Sequence, residues 1–300
     1  MLPPGPSSTD VAHLGVIFAD YAQQWRSALQ GHAALFDFGS VTENGRVYPL
    51  LAATVPGSSQ LIITAGFHGD EPAGPLTLLA HGPEIIRYAQ ARGVGLRIYP
   101  CINPSGFEAH TRYNASGERP NNDLLRYEVA PGVWKGELAP GEPFLRYAPT
   151  EVVPKETAAL ARELTALPTP AASLDLHQDN FIHGSVFYAY VFGDLAAYRP
   201  LLARCGAMVP VLRSCLVDSG HEPGTDVHAD AEGFIACNDG SITDYYFRRG
   251  CPYTAAIETT TETPPAEADA INLIWIYGFI DLLAGPAATT PIVTDKSSPT

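Results

Sequence analysis

The chain is expected to form one α/β domain, a central mixed, largely parallel β-sheet covered by helices on both faces. Three observations predict this. Short apolar runs of strand length alternate with longer segments of helical periodicity, and helices between buried strands imply a parallel sheet covered on both sides. Of 300 residues, 46% are hydrophobic and 17% charged, enough for one large core at a length that α/β enzymes often fill with a single domain. Polar residues suited to chemistry fall just past the ends of several apolar runs, where open α/β sheets place their ligands.

Residues 11–30 set Leu14, Phe18, Tyr21, Trp25 and Leu29 on one helical stripe. Residues 46–55 and 61–65 read as strands, residues 73–92 as a helix and residues 95–101 as a further strand. Asn103-Pro104-Ser105-Gly106 is a turn signal. Residues 155–167 are helical, and residues 173–176, 186–192 and 253–257 are strand-like, the last rich in β-branched and small residues. Residues 266–283 form a closing helix. The catalytic domain is set at residues 1–285, and the Pro-, Thr- and Ser-rich residues 286–300 are read as a disordered tail.

Charge narrows the function classes. Eighteen basic residues against 32 acidic ones give a net charge of −14, so nucleic acid and anionic membranes are poor partners. No apolar run approaches the roughly 20 residues of a membrane span. The opening Met1-Leu2-Pro3-Pro4-Gly5-Pro6-Ser7-Ser8 lacks the basic and apolar regions of a secretory signal. Cys101, Cys205, Cys215, Cys237 and Cys251 are odd in number and unpaired in spacing, which suits a reducing compartment, and a cytoplasmic location is expected.

Phe67-His68-Gly69-Asp70-Glu71 puts a histidine and a carboxylate three residues apart where an apolar run ends. Imidazole and carboxylate are both good zinc ligands, and two groups on one short turn lose little entropy in closing on one ion. The same spacing also suits a surface hydrogen-bonded pair. Ala172-Ser173-Leu174-Asp175-Leu176-His177 ends a second apolar run in a histidine, so His68, Glu71 and His177 would supply the three ligands of a catalytic zinc. The bland alternative for His177 is a hydrogen bond to Asp175 or Asp179. Glu258 ends the run from Tyr253 with no basic neighbour and is the candidate general base, with Glu262 its rival. Arg112 is placed to meet a developing oxyanion, or else to form an ordinary surface ion pair. His221 and His228 suggest a second metal cluster, but they lie in a Gly- and Asp-rich loop of exposed type.

In this order the segments resemble the M14 zinc carboxypeptidases, over about residues 60–262. Gly240-Ser241-Ile242-Thr243-Asp244-Tyr245, running through Gly250 to Glu258, is similar to the segment that shapes the specificity pocket in that family, with one residue inserted. The resemblance implies one zinc ion per chain on His68, Glu71 and His177, Glu258 as general base, Arg112 polarising the scissile carbonyl, and Ile242 and Thr243 lining the leaving-side pocket. It also implies an Asp-x-Asn-Arg element that grips a terminal carboxylate. Here the sequence reads Arg119-Pro120-Asn121-Asn122: Asn121 is retained, Asn122 replaces the arginine, and Arg119 replaces the aspartate that orients a zinc histidine. Arg119 or Arg126 would then hold the carboxylate from a displaced position. Nor does Gly233-Phe234-Ile235-Ala236-Cys237 carry the tyrosine found there in digestive members.

The expected activity is therefore zinc-dependent hydrolysis of an amide, with a peptide that loses its C-terminal residue as first substrate. The alternative is an amidohydrolase of N-acyl amino acids or murein peptides. A binding protein on the same scaffold is the third reading, disfavoured because a binder has no use for a base beside three metal ligands.

Overall fold

The computed structural model describes residues 17–219 and 224–285. Its elements in chain order are α1 (Phe18–Leu29), β1 (Ala34–Glu43), β2 (Arg46–Val55), β3 (Ser59–Ala65), α2 (Ala73–Ala91), β4 (Val94–Tyr99), α3 (Pro104–Ala109), β5 (Leu125–Ala130), β6 (Val133–Lys135) and β7 (Arg146–Pro149). Then come α4 (Lys155–Thr165), β8 (Ala172–Asp179), β9 (Phe187–Gly193), α5 (Leu195–Gly206), β10 (Cys215–Asp218), β11 (Val227–Ala229), β12 (Phe234–Ile235), α6 (Ile242–Arg248), β13 (Tyr253–Thr260) and α7 (Pro265–Ala284). Every strand and helix expected from the sequence in the described residues is present within a few residues of its expected ends. Residues 11–16 of the first helix, His221 and the tail 286–300 lie outside the described residues.

Eight strands form one sheet in the order β1-β2-β4-β3-β8-β13-β9-β12. The four central strands, β4, β3, β8 and β13, run parallel, while β1, β2 and β9 join through antiparallel pairings. The sheet is thus mixed and largely parallel at its centre, as the alternation of elements implied. Two smaller sheets, β6-β5-β7 and β10-β11, stand apart from it. Asn44 and Gly45, with φ of 49° and 78°, turn β1 into β2, a pairing that suits the twist of a tight hairpin.

Side chains alternate across a strand, so the two faces of this sheet have different fates. Leu61, Ile63 and Ala65 of β3, Leu174 and Leu176 of β8, and Ala255 and Ile257 of β13 join one buried cluster with α1, α2, α5 and α7. Trp275 and Phe279 of α7 and Tyr198 of α5 are among the largest side chains there, each fully buried and in ring contact with the others. The opposite face packs its apolar part, Ala52, Ile62 and Tyr99, against α4 and α6. The rest of that face is polar: Thr64, Asp175, His177 and Glu258.

The chain crosses from β3 to α2 through the His68–Glu71 loop, and this loop lies directly on the backbone of α3. A Cβ on Gly69 would sit 1.9 Å from the carbonyl carbon of Gly106 and 2.2 Å from the Phe107 nitrogen, so only glycine permits the approach. Gly69→Ala is predicted to cost roughly 1–3 kcal/mol by overpacking and to weaken metal retention with it. Gly136→Ala, where a Cβ meets nothing within 4 Å, is the control and should change stability by less than about 0.5 kcal/mol. Thermal unfolding and metal analysis of the two variants check this, and equal behaviour would show that the loop does not depend on that contact.

Candidate metal centre

β3 and β8 run side by side in parallel, Ala65 opposite Leu176, and their C-terminal ends deliver His68, Glu71 and His177 to one place. One nitrogen or oxygen of each lies within 4.8 Å of the others, and all three residues are buried. Glu71 is the hub. Its Oε1 faces His68 Nδ1 at 2.7 Å and accepts from Arg112 Nη1 at 2.8 Å. Its Oε2 faces His177 Nδ1 at 2.8 Å and accepts the Gln178 N–H at 3.2 Å.

The orientation of His177 is set from behind. Its Nε2 donates to Asp175 Oδ2 at 2.7 Å, and Thr64 Oγ1 donates to Asp175 Oδ1, also at 2.7 Å, across the Thr64–Asp175 register of β3 and β8. The hydrogen bond to Asp175, the bland reading of His177, is therefore present and compatible with the other. It occupies Nε2 and leaves Nδ1 toward Glu71. A carboxylate behind a histidine is the usual outer support of a metal ligand. His68 Nε2, by contrast, is buried without a partner.

Electrostatics favour a cation at this point. Burial pushes His68 down to about 4, against the opposite pull of Glu71, so it is neutral with a lone pair to give. Burial alone would raise Glu71, but His68 and His177 hold it well below the usual carboxylate range. Burial also lowers His177, yet Asp175 and Glu71 outweigh it and raise it well above its ordinary value. Two neutralisable imidazoles and a committed carboxylate, converging at hydrogen-bond distances, are a donor set that fits zinc.

The cavity beside these residues is lined by His68, His177, Arg112 and Glu258. Glu258 stands directly opposite His177 on β13. Its Oε2 is buried without a partner, and burial pushes its carboxyl well above the ordinary value. Glu262, its rival in the sequence, is half exposed and pairs with His183 at 2.9 Å. Arg119, Asn121 and Thr243 also line the cavity. Arg126 does not: its guanidinium pairs with Glu151 and lies over the Trp134 ring. Ile242 likewise faces away, in the buried apolar cluster with Phe67 and Tyr99 beneath α6, and Thr243 is the residue at the wall. His228 is exposed on β11, and among the described residues no second metal cluster forms.

Several residues at the site were not singled out from the sequence. Thr64 and Gln178 sit next to noticed residues, but only strand register shows what they touch. Phe181, two thirds exposed, lies against the Arg112 guanidinium at 5.1 Å. Tyr190, Phe192, Asp218, Cys237 and Asp239 complete the far wall. Three-residue spacing signals none of them, since they come from three separate segments.

Sequence comparison finds no matching family model and no matching curated protein. Comparison of structures does find likeness. A candidate metallopeptidase from Shewanella baltica OS155 superposes with a TM-score of 0.63 at 23% identity, over 93% of this chain and 94% of that one. A second, from Shewanella amazonensis SB2B, gives 0.62 at 21% over 92% and 94%. A metallo-carboxypeptidase from Burkholderia cenocepacia gives 0.54 at 14% over 87% and 68%. The chain has the M14 metallocarboxypeptidase fold. The motifs that suggested that fold in the sequence are the ones the carboxypeptidase sheet gathers at the ends of β3, β8 and β13.

Asp175 carries a prediction of its own. Asp175→Ala removes the acceptor behind His177 without touching a donor atom, and is expected to weaken zinc affinity 10- to 100-fold, on the order found for such outer partners. Titration against a competing chelator measures it. An unchanged affinity would mean that His177 is not oriented by Asp175.

Proposed function

We propose that the chain is a zinc-dependent amide hydrolase, and in the first place a carboxypeptidase that releases a C-terminal residue from a peptide. The observation that carries this is the placement of Glu258. Its carboxylate, with Oε2 buried and unpartnered, stands one strand from His177 and faces the same cavity as His68 and His177. A binding protein needs no such group.

Held by His68, Glu71 and His177, zinc would supply Lewis-acid activation of a water and of the scissile carbonyl. Glu258 takes the proton from the attacking water at Oε2 and passes it to the departing nitrogen, a role that a raised carboxyl serves in both directions. Arg112, at the cavity wall and 2.8 Å from Glu71, faces the negative charge that develops on the carbonyl oxygen. Arg119 and Asn121 hold the substrate carboxylate. Both line the cavity, Arg119 offering its guanidinium and Asn121 its Nδ2 as donors to a carboxylate.

Asn122 supports a second reading. It stands where the family's carboxylate-binding arginine is implied, and it is engaged with Asp239, donating through Nδ2 at 2.7 Å. An amidohydrolase of N-acyl amino acids would use the same metal ligands and the same base.

Glu258→Gln is predicted to keep its zinc and its thermal stability while losing on the order of 10²–10⁴ in rate, because an amide cannot accept the water's proton. Metal analysis, unfolding and turnover of one preparation test this together. Retained activity would remove Glu258 from the mechanism. Peptides ending in a free acid should be cleaved and their C-terminal amides spared. Equal cleavage of both would replace the carboxypeptidase reading with the amidohydrolase.

A further inference from the structure

Arg112 and Arg119, the two arginines of the cavity wall, stand on one short segment of chain. Asn114 lies between them, buried, and its side chain closes the segment on itself. Its Oδ1 accepts the Ser116 N–H at 3.1 Å and the Glu118 N–H at 2.9 Å, and its Nδ2 donates to Glu118 Oε2 at 2.9 Å. The backbone adds two bonds, Asn114 N–H to Glu118 O at 2.8 Å and Gly117 N–H to Asn114 O at 2.9 Å. An asparagine bonded in this way to the backbone just beyond it fixes a turn. The spacing of the two guanidiniums is therefore set by Asn114.

A second set of bonds ties the closed turn to the body of the protein. Asn114 Nδ2 also donates to Glu156 Oε2, at 2.9 Å, on the first turn of α4. Ser116 Oγ donates to Glu43 Oε2 at 2.6 Å and accepts from Lys155 Nζ at 2.8 Å, and the Ala115 N–H reaches Ser105 Oγ at 3.0 Å. Glu156 is the costly member of this set. It is fully buried, its Oε1 has no hydrogen-bond partner, and burial pushes its carboxyl above the ordinary value against the pull of the Asn114 amide. For packing alone an apolar side chain of similar size would serve better there. The acid is accounted for by the amide that it holds.

We propose that Asn114 and Glu156 are positioning residues for the reaction: through the hydrogen bond between them, α4 fixes where Arg112 and Arg119 stand. With the guanidiniums it fixes the distance between the developing oxyanion and the substrate carboxylate. The proposal rests on the carboxypeptidase reading, which gives the two arginines those roles. Neither Asn114 nor Glu156 lines the cavity, so each acts through the arginines. A small misplacement of groups that must meet two ends of one substrate is costly in rate, even when its source lies away from the chemistry.

The test uses the zinc-loaded, full-length protein and one peptide with a free C-terminal acid. Glu156→Leu removes the acceptor, and kcat should fall and KM rise so that kcat/KM drops on the order of 10- to 10²-fold, with zinc content and thermal unfolding unchanged. Glu156→Gln keeps an acceptor for the Asn114 amide and should recover most of that loss. In an Arg119→Ala background Glu156→Leu should raise KM no further, because the group it positions is gone. If Glu156→Leu does not fold, Asn114→Asp takes its place, with Glu156→Gln added as the rescue that returns a donor to the pair. Unaltered kcat and KM, a loss that tracks lost zinc, or one that persists undiminished in the Arg119→Ala background overturns the proposal and leaves the carboxypeptidase reading standing. Calorimetry on Glu258→Gln, with and without Glu156→Leu, measures binding of the peptide and of its C-terminal amide without turnover. If the unmodified protein cleaves no peptide, the carboxypeptidase reading falls. The positioning role then stands if Glu156→Leu erases a preference for acid over amide in binding, and falls if that preference is kept or was never present.

Discussion

Glu71 is a carboxylate almost wholly removed from water, and four groups from three parts of the chain converge on it: His68, Arg112, His177 and the Gln178 N–H. A buried charge is tolerated only where it is paired and hydrogen-bonded on every side, and removing one partner of such an arrangement is strongly destabilising. The loop after β3, the segment after α3 and the end of β8 are therefore fixed relative to one another by one side chain. The close packing of Gly69 on α3 belongs to the same constraint, because it sets where that loop can run. The atoms that satisfy Glu71 without a metal include the two imidazole nitrogens that would share an ion with it, while Arg112 and Gln178 remain to hold the carboxylate in place.

The sheet divides the labour. Alternation along β3, β8 and β13 sends aliphatic side chains into the larger core, beneath four helices, and sends Thr64, Asp175, His177 and Glu258 to the other face. The helices α4 and α6, with Leu124 and Leu125 at the start of β5, cover that second face over its apolar part. The remainder is open enough to form a cavity and rigid enough to aim side chains, because His68, Glu71, His177 and Glu258 stand on or next to central strands. Parallel register explains the pairings: Thr64 meets Asp175, and His177 meets Glu258, because these residues are level on neighbouring strands.

Much of this was legible in the sequence, for identifiable reasons. His68 and Glu71 are close in the chain, and His177 and Glu258 each end an apolar run, so a reader of strand ends finds them. The α/β alternation was strong enough to give the sheet and four of its helices. β1 was missed although Asn44-Gly45 follows it, because its small and polar residues dilute the strand pattern. The shorter helices α3 and α6 gave too few turns for periodicity to show. The far wall of the cavity was out of reach for another reason: Tyr190, Asp218 and Asp239 meet only through tertiary folding. Arg126 was misplaced by reading function from proximity in the chain, and Ile242 by carrying a pocket position over from the family resemblance. Arg126 turns outward to Glu151 and Trp134, and Ile242 is drawn into the core by its own apolarity, leaving Thr243 at the wall.

The account stands on convergence of His68, Glu71 and His177 upon one ion, and anomalous X-ray scattering at the zinc edge from crystals of the zinc-loaded protein tests it most directly. One peak is expected, about 2.0–2.2 Å from the Nδ1 atoms of both histidines and from the Glu71 carboxylate. A peak at other residues, or none between these three while zinc is bound in solution, would contradict it.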